Sequence, residues 1–464
     1  MRIVLADLKA TEGVVGKDTV AGGYGSRLIP LSRTTKVYCF FKKTFHDHPS
    51  VQMAYIAAIC ARMGHEVVWT RYELLEGEVA IILSSLVDYR RETAWADVAR
   101  ERGMRVGFVG LAASKLPELF LGHADFIING EPEAAIQRLA DGERLSGLCQ
   151  SEAIADLDSL PFPRWDLLQN HKLLNRISMV RRPFGGGFPL LSSRSCPEFC
   201  TYCPHRIWTS YRARSVNNIA EELEQLCDRY PRPYVVFRDP LFTQQRDRCL
   251  ALCDEILARG LNLRFECETR LDHLDEHLLD RMSAAGLRVI TFGVEAVSDE
   301  TLRKVARRPT PERHQRAIIE ACTLCGILTT AYYVFGFLQD NWNSIAATID
   351  YSIALGSTFA QFKILTPYPG TPLWKQMKPL VNEPDWQKFD GYTPTFQHPN
   401  LSAEELRFLL GAAYARFYTR PSWLANYLRI QRGPVREWVH RMDTKAFEAH
   451  TRKEIELMSR PVTC

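Results

Sequence analysis

Short apolar runs alternate with segments of helical spacing along the first 150 residues. Met1–Ala6, Glu66–Thr70, Ala80–Leu83, Met104–Val109 and Asp125–Ile128 read as strands, mostly continuously apolar. Runs of that kind fit a sheet covered on both faces. Between them, Val51–Met63 has helical spacing up to Gly64, Glu92–Arg102 ends at Gly103, and Pro132–Leu139 opens another helix. Strands alternating with helices predict a parallel, doubly wound, Rossmann-like sheet. A second alternation begins near Leu190, with strands at Pro189–Ser193, Tyr234–Arg238, Leu263–Cys267, Val289–Val294, Thr329–Phe337 and Ala360–Leu365. Helices such as Asn217–Tyr230 and Arg246–Ala258 separate them. A full eight-unit barrel needs about 250 residues, so six units predict a partial (β/α)6 barrel. Leu160–Arg164 and Gly185–Gly187 punctuate a connector between the two. After Pro367 the pattern loosens into a small, mostly helical region, in which Ser402 and Glu405 are spaced to cap a helix ending at Tyr418. The chain therefore reads as α/β, divided at 1–150, 151–187, 188–375 and 376–464.

Composition narrows this little. The 464 residues are 46% hydrophobic and 24% charged, an ordinary globular balance with room for large cores. A net charge of +4 is too small to argue for nucleic acid. No apolar run approaches 18 residues, and Met1–Gly13 lacks the order of a signal peptide, so a cytoplasmic location is expected. Thirteen cysteines without a regular framework suggest reduced, mostly buried thiols.

Three cysteines stand apart. Arg194-Ser195-Cys196-Pro197-Glu198-Phe199-Cys200-Thr201-Tyr202-Cys203 has the spacing C-x3-C-x2-C, just after a strand. Chance gives that spacing in about one chain of this cysteine content in a hundred. Thiolates hold iron–sulfur clusters, and three thiolates on a 4Fe–4S cluster leave one iron open to a second molecule. A zinc site is the competing reading, pairing Cys200 and Cys203 with Cys322 and Cys325 or with His205, in a binding protein without catalysis. Cys322-x2-Cys325 otherwise reads as two apolar helical cysteines.

The cysteine motif, with Tyr202 before its last cysteine, resembles that of the radical S-adenosylmethionine (SAM) superfamily. Phe237–Thr243 is similar to that family's second-strand motif, and Ile290–Glu295 to its fourth-strand motif. Thr366–Pro372 and Phe417–Pro421 resemble segments of the branch with an N-terminal cobalamin (B12)-binding domain. The resemblance implies a 4Fe–4S cluster on Cys196, Cys200 and Cys203, with SAM on its open iron and reductive cleavage to a 5′-deoxyadenosyl radical. It also implies roles around SAM for Tyr202, for Glu268 at the end of the third strand, for Glu295 at the end of the fourth, and for Arg307 in the following helix. Val334–Asp340 departs from the family, lacking the Pro and Gly of its usual turn.

The first 150 residues resemble the cobalamin-binding domain of that branch. Ser84, Ser85, Gly110, Gly130 and Glu131 occupy its matching elements, and the resemblance gives them cofactor contacts. The second glycine of the usual pair is replaced by Leu111, and the motif supplying a cobalt-ligating histidine is absent. His46 and His48 lie nearby in a different pattern and read as solvated. Ala21–Arg27 reads as a flexible glycine-rich surface loop. Arg420, Trp423, Tyr427, Arg429, Arg432, Arg436 and Trp438 read as a helix covering the barrel, with peripheral membrane contact as the alternative. The resemblance thus implies a cobalamin-dependent radical SAM methyltransferase acting on a carbon of a small molecule, natural-product or lipid precursor. A flavodoxin or ferredoxin would supply electrons, and no nucleic acid is expected. The alternative is a non-methylating radical SAM enzyme that forms a ring or a C–C bond, or rearranges its substrate. A methylthiotransferase acting on RNA would need three further N-terminal cysteines and a basic C-terminal barrel, neither of which is evident.

Overall fold

The computed structural model describes residues 1–9, 14–17, 23–28, 48–169, 171, 187–427 and 430. Ala21, Gly22, His46, Gly185, Gly186, Arg429, Arg432, Arg436, Trp438 and Cys464 lie outside the described residues.

Eight strands belong to the first part of the chain: β1 Arg2–Ala6, β2 Val14–Gly16, β3 Ser26–Leu28, β4 Glu66–Thr70, β5 Val79–Leu83, β6 Arg105–Val109, β7 Phe126–Asn129 and β8 Gly147–Gln150. Six of them form a parallel sheet in the order β4-β1-β5-β6-β7-β8, while β2 and β3 form a separate antiparallel ribbon. Every residue of β5 is buried, which is why its sequence shows no alternation. Val4, Ile82, Val106, Phe108 and Ile127 are fully buried in one apolar cluster of this part. The strand order reverses on either side of β1, so a crevice opens at the carboxyl edge there, the place where open α/β sheets bind ligands. Strand β8, a mostly exposed edge, has no apolar run and escaped the hydrophobic pattern. The helix expected at Glu92–Arg102 runs from Tyr89 to Glu101, so its first turn is the polar Tyr89-Arg90-Arg91.

The second part contributes β9 Phe188–Leu190, β10 Ser193–Arg194, β11 Arg212–Ala213, β12 Tyr234–Phe237, β13 Arg264–Thr269, β14 Leu287–Glu295, β15 Leu328–Phe335 and β16 Phe359–Ile364. Here six parallel strands pair in chain order, β9-β12-β13-β14-β15-β16, and β16 does not close onto β9. This is the open six-unit barrel that the alternation predicts. The expected strand Pro189–Ser193 is shorter than its apolar run. It stops at Leu190, because Ser193 and Arg194 pair antiparallel with Ala213 and Arg212.

Met1–Tyr414 packs as one compact unit and Ala415–Cys464 as a second. The helix Ala403–Tyr418 is capped at Ser402, where the Glu405 carboxylate accepts from the Ser402 N–H and the Ser402 hydroxyl accepts from the Glu405 N–H. Within the second unit, Trp423 stacks on Tyr427 at 5.1 Å. No helix among the described residues is long and apolar enough to cross a membrane.

Candidate active site

The cysteine loop leaves the carboxyl end of β9 and is fixed before it reaches its first thiol. The fully buried Asp239, two residues beyond β12, accepts from the Ser192 N–H at 3.0 Å and from the Ser192 and Ser193 hydroxyls at 2.7 and 2.5 Å. Ser195 adopts a φ of 64°, rare for a residue with a side chain, and turns the chain into Cys196. The Cys203 N–H donates to the Cys200 carbonyl, and the Thr201 N–H to Val305, so the loop is closed on itself and pinned outside. Burial pushes the Cys196 thiol up to about 11 and Cys203 to about 12, and the neighbouring cysteines push further in the same direction. Three thiols near enough to repel one another's charge form a donor set that a cation would relieve. Among the described residues, no three His, Cys, Asp or Glu gather tightly enough for a single ion. Three thiolates are one short of a closed structural zinc site and match a 4Fe–4S cluster that keeps one iron open.

Charged side chains stand at the carboxyl ends of the next strands. Glu268 on β13 pairs with Arg238 at 2.7 Å and keeps 21% of its side chain exposed. Glu295, the last residue of β14, has a φ of 68° at a break in register with β15. Its carboxylate lies 3.5 Å from Arg307. Arg307 also reaches the Gly293 carbonyl and stands 3.9 Å from the Cys200 sulfur. A Cβ at Gly293 would run into both Glu295 and Arg307, so only glycine lets this pair sit against the strand. Burial works against the Arg307 charge, but Tyr202, Glu295 and Cys200 more than offset it. Burial raises the Tyr202 phenol well above its usual value, and its ring rests edge-on against Phe337 at 5.8 Å. One expectation needs correction: Arg307 is not helical. The helix after β14 is Asp299–Lys304, and Arg307 lies in the turn beyond it.

A cavity opens where the carboxyl ends of the two sheets meet. Its volume is about 770 Å³ counted with its mouth to solvent. Gly110, Leu111 and Glu131 line it from the first sheet, and Ser195, His205 and Arg238 from the second. Gly110 has a φ of 110°, and a Cβ there would approach the Ser84 hydroxyl to 2.9 Å. The other matched residues are engaged within the protein. The Ser84 hydroxyl accepts from the Ala113 N–H. The Ser85 hydroxyl donates to Glu92, itself paired with Lys17 at 2.7 Å. Gly130 packs against the Ser151 carbonyl. Glu131 lies 2.6 Å from Arg212 and 3.5 Å from Arg194, and Glu133 lies 2.7 Å from Arg194. The structure therefore gives Glu131 a buried ionic link between the first sheet and the cysteine loop. The same carboxylate also lines the cavity.

Sequence reasoning missed Arg194, Arg212 and Asp239, although Asp239 lies inside the quoted second-strand motif. A buried-charge signal was available in Ser192-Ser193-Arg194, polar residues continuing an apolar strand. The Gly-rich loop is also corrected where it is described. Tyr24 is fully buried, stacks on Tyr368 at 5.2 Å and donates to the Pro369 carbonyl, so Gly23–Gly25 is no free surface loop. His48 is not simply solvated: its Nδ1 is covered and has no partner among the described residues, and burial lowers its pKa to about 3. The departure at Val334–Asp340 is organised by Asp340, which accepts from the Gly336 and Phe337 N–H groups at 3.0 Å. Cys322 is buried in the helix Glu312–Leu324, and Cys325 follows that helix.

The model of the radical SAM superfamily matches residues 190–351. An uncharacterized methyltransferase of Pyrococcus horikoshii is 27% identical over 322 residues, covering 65% of this chain and 68% of its own. The anaerobic magnesium-protoporphyrin IX monomethyl ester cyclase of Cereibacter sphaeroides is 25% identical over 375 residues, 79% of this chain but only 58% of its own length. Among solved structures, the radical SAM methyltransferase TsrM from Kitasatospora setae superposes with a TM-score of 0.61 at 14% identity, over 91% of this chain and 89% of that one. That likeness extends the shared fold through the first sheet as well as the barrel. Residues 190–351 thus match the radical SAM superfamily, within a fold that the likeness to TsrM carries across most of the chain.

Proposed function

We propose that the chain is a cobalamin-dependent radical SAM methyltransferase that acts on a carbon of a small molecule. The observation that carries this reading is a cavity between the carboxyl edges of both sheets, with Gly110 on one wall and Ser195, next to Cys196, on the other. When bound, the cluster supplies the electron that cleaves SAM to a 5′-deoxyadenosyl radical, and cobalamin supplies a methyl carrier. Cys196, Cys200 and Cys203 would hold the cluster. Glu268 would accept from the methionine ammonium, and Arg307 would meet the carboxylate as a fork. Glu295, at the strained end of β14, would receive the ribose hydroxyls. Tyr202 would wall the cluster on the side of Phe337. Gly110 would let the backbone approach a large flat ligand, and the burial of the cavity walls would keep water from a radical. An electron carrier protein would restore the reduced state.

The cyclase likeness supports a second reading, in which the same radical closes a ring without methyl transfer. The deciding experiment uses anaerobically reconstituted protein, incubated with hydroxocobalamin and desalted. Iron–sulfur absorption, retained cobalamin and transfer of the trideuteriomethyl group from methyl-labelled SAM to a substrate carbon are expected. A cluster without cobalamin or label transfer would move the ring-forming reading to first place. No iron–sulfur absorption would end both.

A further inference from the structure

The cysteine loop carries an outward feature that the chemistry inside does not use. Phe199, directly before Cys200, is 70% exposed. The Arg206 guanidinium lies 3.3 Å from its ring centroid, forming a flat cationic and aromatic platform beside the thiols. A basic segment adjoins it. Residues 299–316 hold six Arg or Lys against three Asp or Glu, a net of +3, out of +4 for the whole chain. The segment touches the loop directly, since the Thr201 N–H donates to the Val305 carbonyl at 3.0 Å. Arg270 ties them again, 3.7 Å from Glu198 and donating to the Arg308 carbonyl at 2.9 Å. Arg303, Lys304 and Arg308 have local carboxylate partners yet keep 67%, 50% and 64% of their side chains exposed. An exposed segment with a net positive charge thus adjoins the cysteine loop.

We propose that this face docks an acidic one-electron carrier protein, with Phe199 as the apolar contact and Arg303, Lys304 and Arg308 as the steering charges. The inference rests on the reading that Cys196, Cys200 and Cys203 hold a 4Fe–4S cluster. The step moves one electron: the carrier is oxidised by one unit, the cluster passes from its 2+ to its 1+ state, and no bond changes. Redox encounters are weak, and they use interfaces below about 1,200 Å². Their rates depend on opposite charge more than on area. Arginine and aromatic side chains are the residues that such patches enrich.

The test is anaerobic stopped-flow reduction of the reconstituted chain by a reduced acidic ferredoxin, with dithionite in parallel. The R303E/K304E variant is expected to lose about tenfold or more in the second-order rate at low salt, and to lose its salt dependence. F199A is expected to lose severalfold at every salt concentration. R144E, an exposed charge change on the first part of the chain, should react like the parent, and dithionite should reduce all four alike. Equal ferredoxin rates in the parent, R303E/K304E and F199A would overturn the proposal, as would a parent that dithionite reduces and ferredoxin does not. If F199A disturbs the loop and slows dithionite too, R303E/K304E decides alone. A parent that takes up no cluster overturns the cluster reading and this inference with it, whereas a cluster indifferent to the patch overturns only this one.

Discussion

The two parallel sheets present opposite kinds of carboxyl edge to the cavity they share. At the first, charges serve to hold the protein together: Glu92 with Lys17, and Glu131 and Glu133 with Arg194 and Arg212. Toward the cavity this edge presents the open backbone of Gly110 and the side chains of Leu83 and Leu111, beside charges, Lys17 and Glu131, that are already paired. At the second, the charges themselves face the thiols, with Arg307 3.9 Å from the Cys200 sulfur and the Glu268 carboxylate partly exposed. The contrast teaches a division of labour. A large, mostly apolar cofactor needs room and a close backbone, whereas a zwitterion beside a cluster needs fixed charges of both signs.

The severest way to break the comparison is to empty the second edge. Cys200→Ala should abolish iron–sulfur absorption and 5′-deoxyadenosine formation, while cobalamin retention persists; loss of both would mean that the edges are not independent. Next in size is the link between them. Arg194→Ala leaves Glu131 and Glu133 buried without their shared cation, and such a break costs about 3–5 kcal/mol. A fall in Tm far larger than for Arg246→Ala, which removes only an exposed pair with Asp275, checks it. Two glycine substitutions sharpen the contrast. Gly293→Ala should weaken SAM binding at least tenfold and spare cobalamin, because its Cβ would collide with Glu295 and Arg307. Gly110→Ala should do the reverse, and equilibrium titration of each ligand separates them.

The narrowest effect, confined to acid conditions, is a pH dependence at the first edge. His48 is held neutral by burial, with a pKa lowered from 6.5 to about 3. A depressed pKa contributes stability that is present above pH 6.5 and is lost as pH falls toward 3. Denaturant titrations across that window should show a shallower acid slope in a His48→Gln variant than in the parent.

Much of this was legible because the signals are local. Arg246–Ala258 and Glu66–Thr70 match the structure end for end, since apolar residues within a few positions define them. The cysteine loop was legible from spacing alone. What was hidden depends on distant partners. Asp239 is assigned by Ser192, 47 residues earlier, and the role of Glu131 by Arg212, 81 residues later. Tyr89 begins a helix despite its polar first turn because Tyr89 packs edge-on against Phe120. Nothing in Val334–Asp340 advertises that one aspartate at its end can organise the turn without proline.

The stacking of Tyr24 on Tyr368 has a consequence for how the molecule comes into being. Tyr24 donates to a carbonyl 345 residues ahead of it. On a chain made from its N-terminus, the first sheet can assemble long before that partner exists. The rim around Gly23–Gly25 then waits, with a bare aromatic ring, until nearly the whole barrel has been synthesised. Contacts of such separation form late and slow the search for the native state. Completion of the cavity mouth is thereby timed to completion of the barrel, so a half-made chain offers no finished crevice to a cofactor.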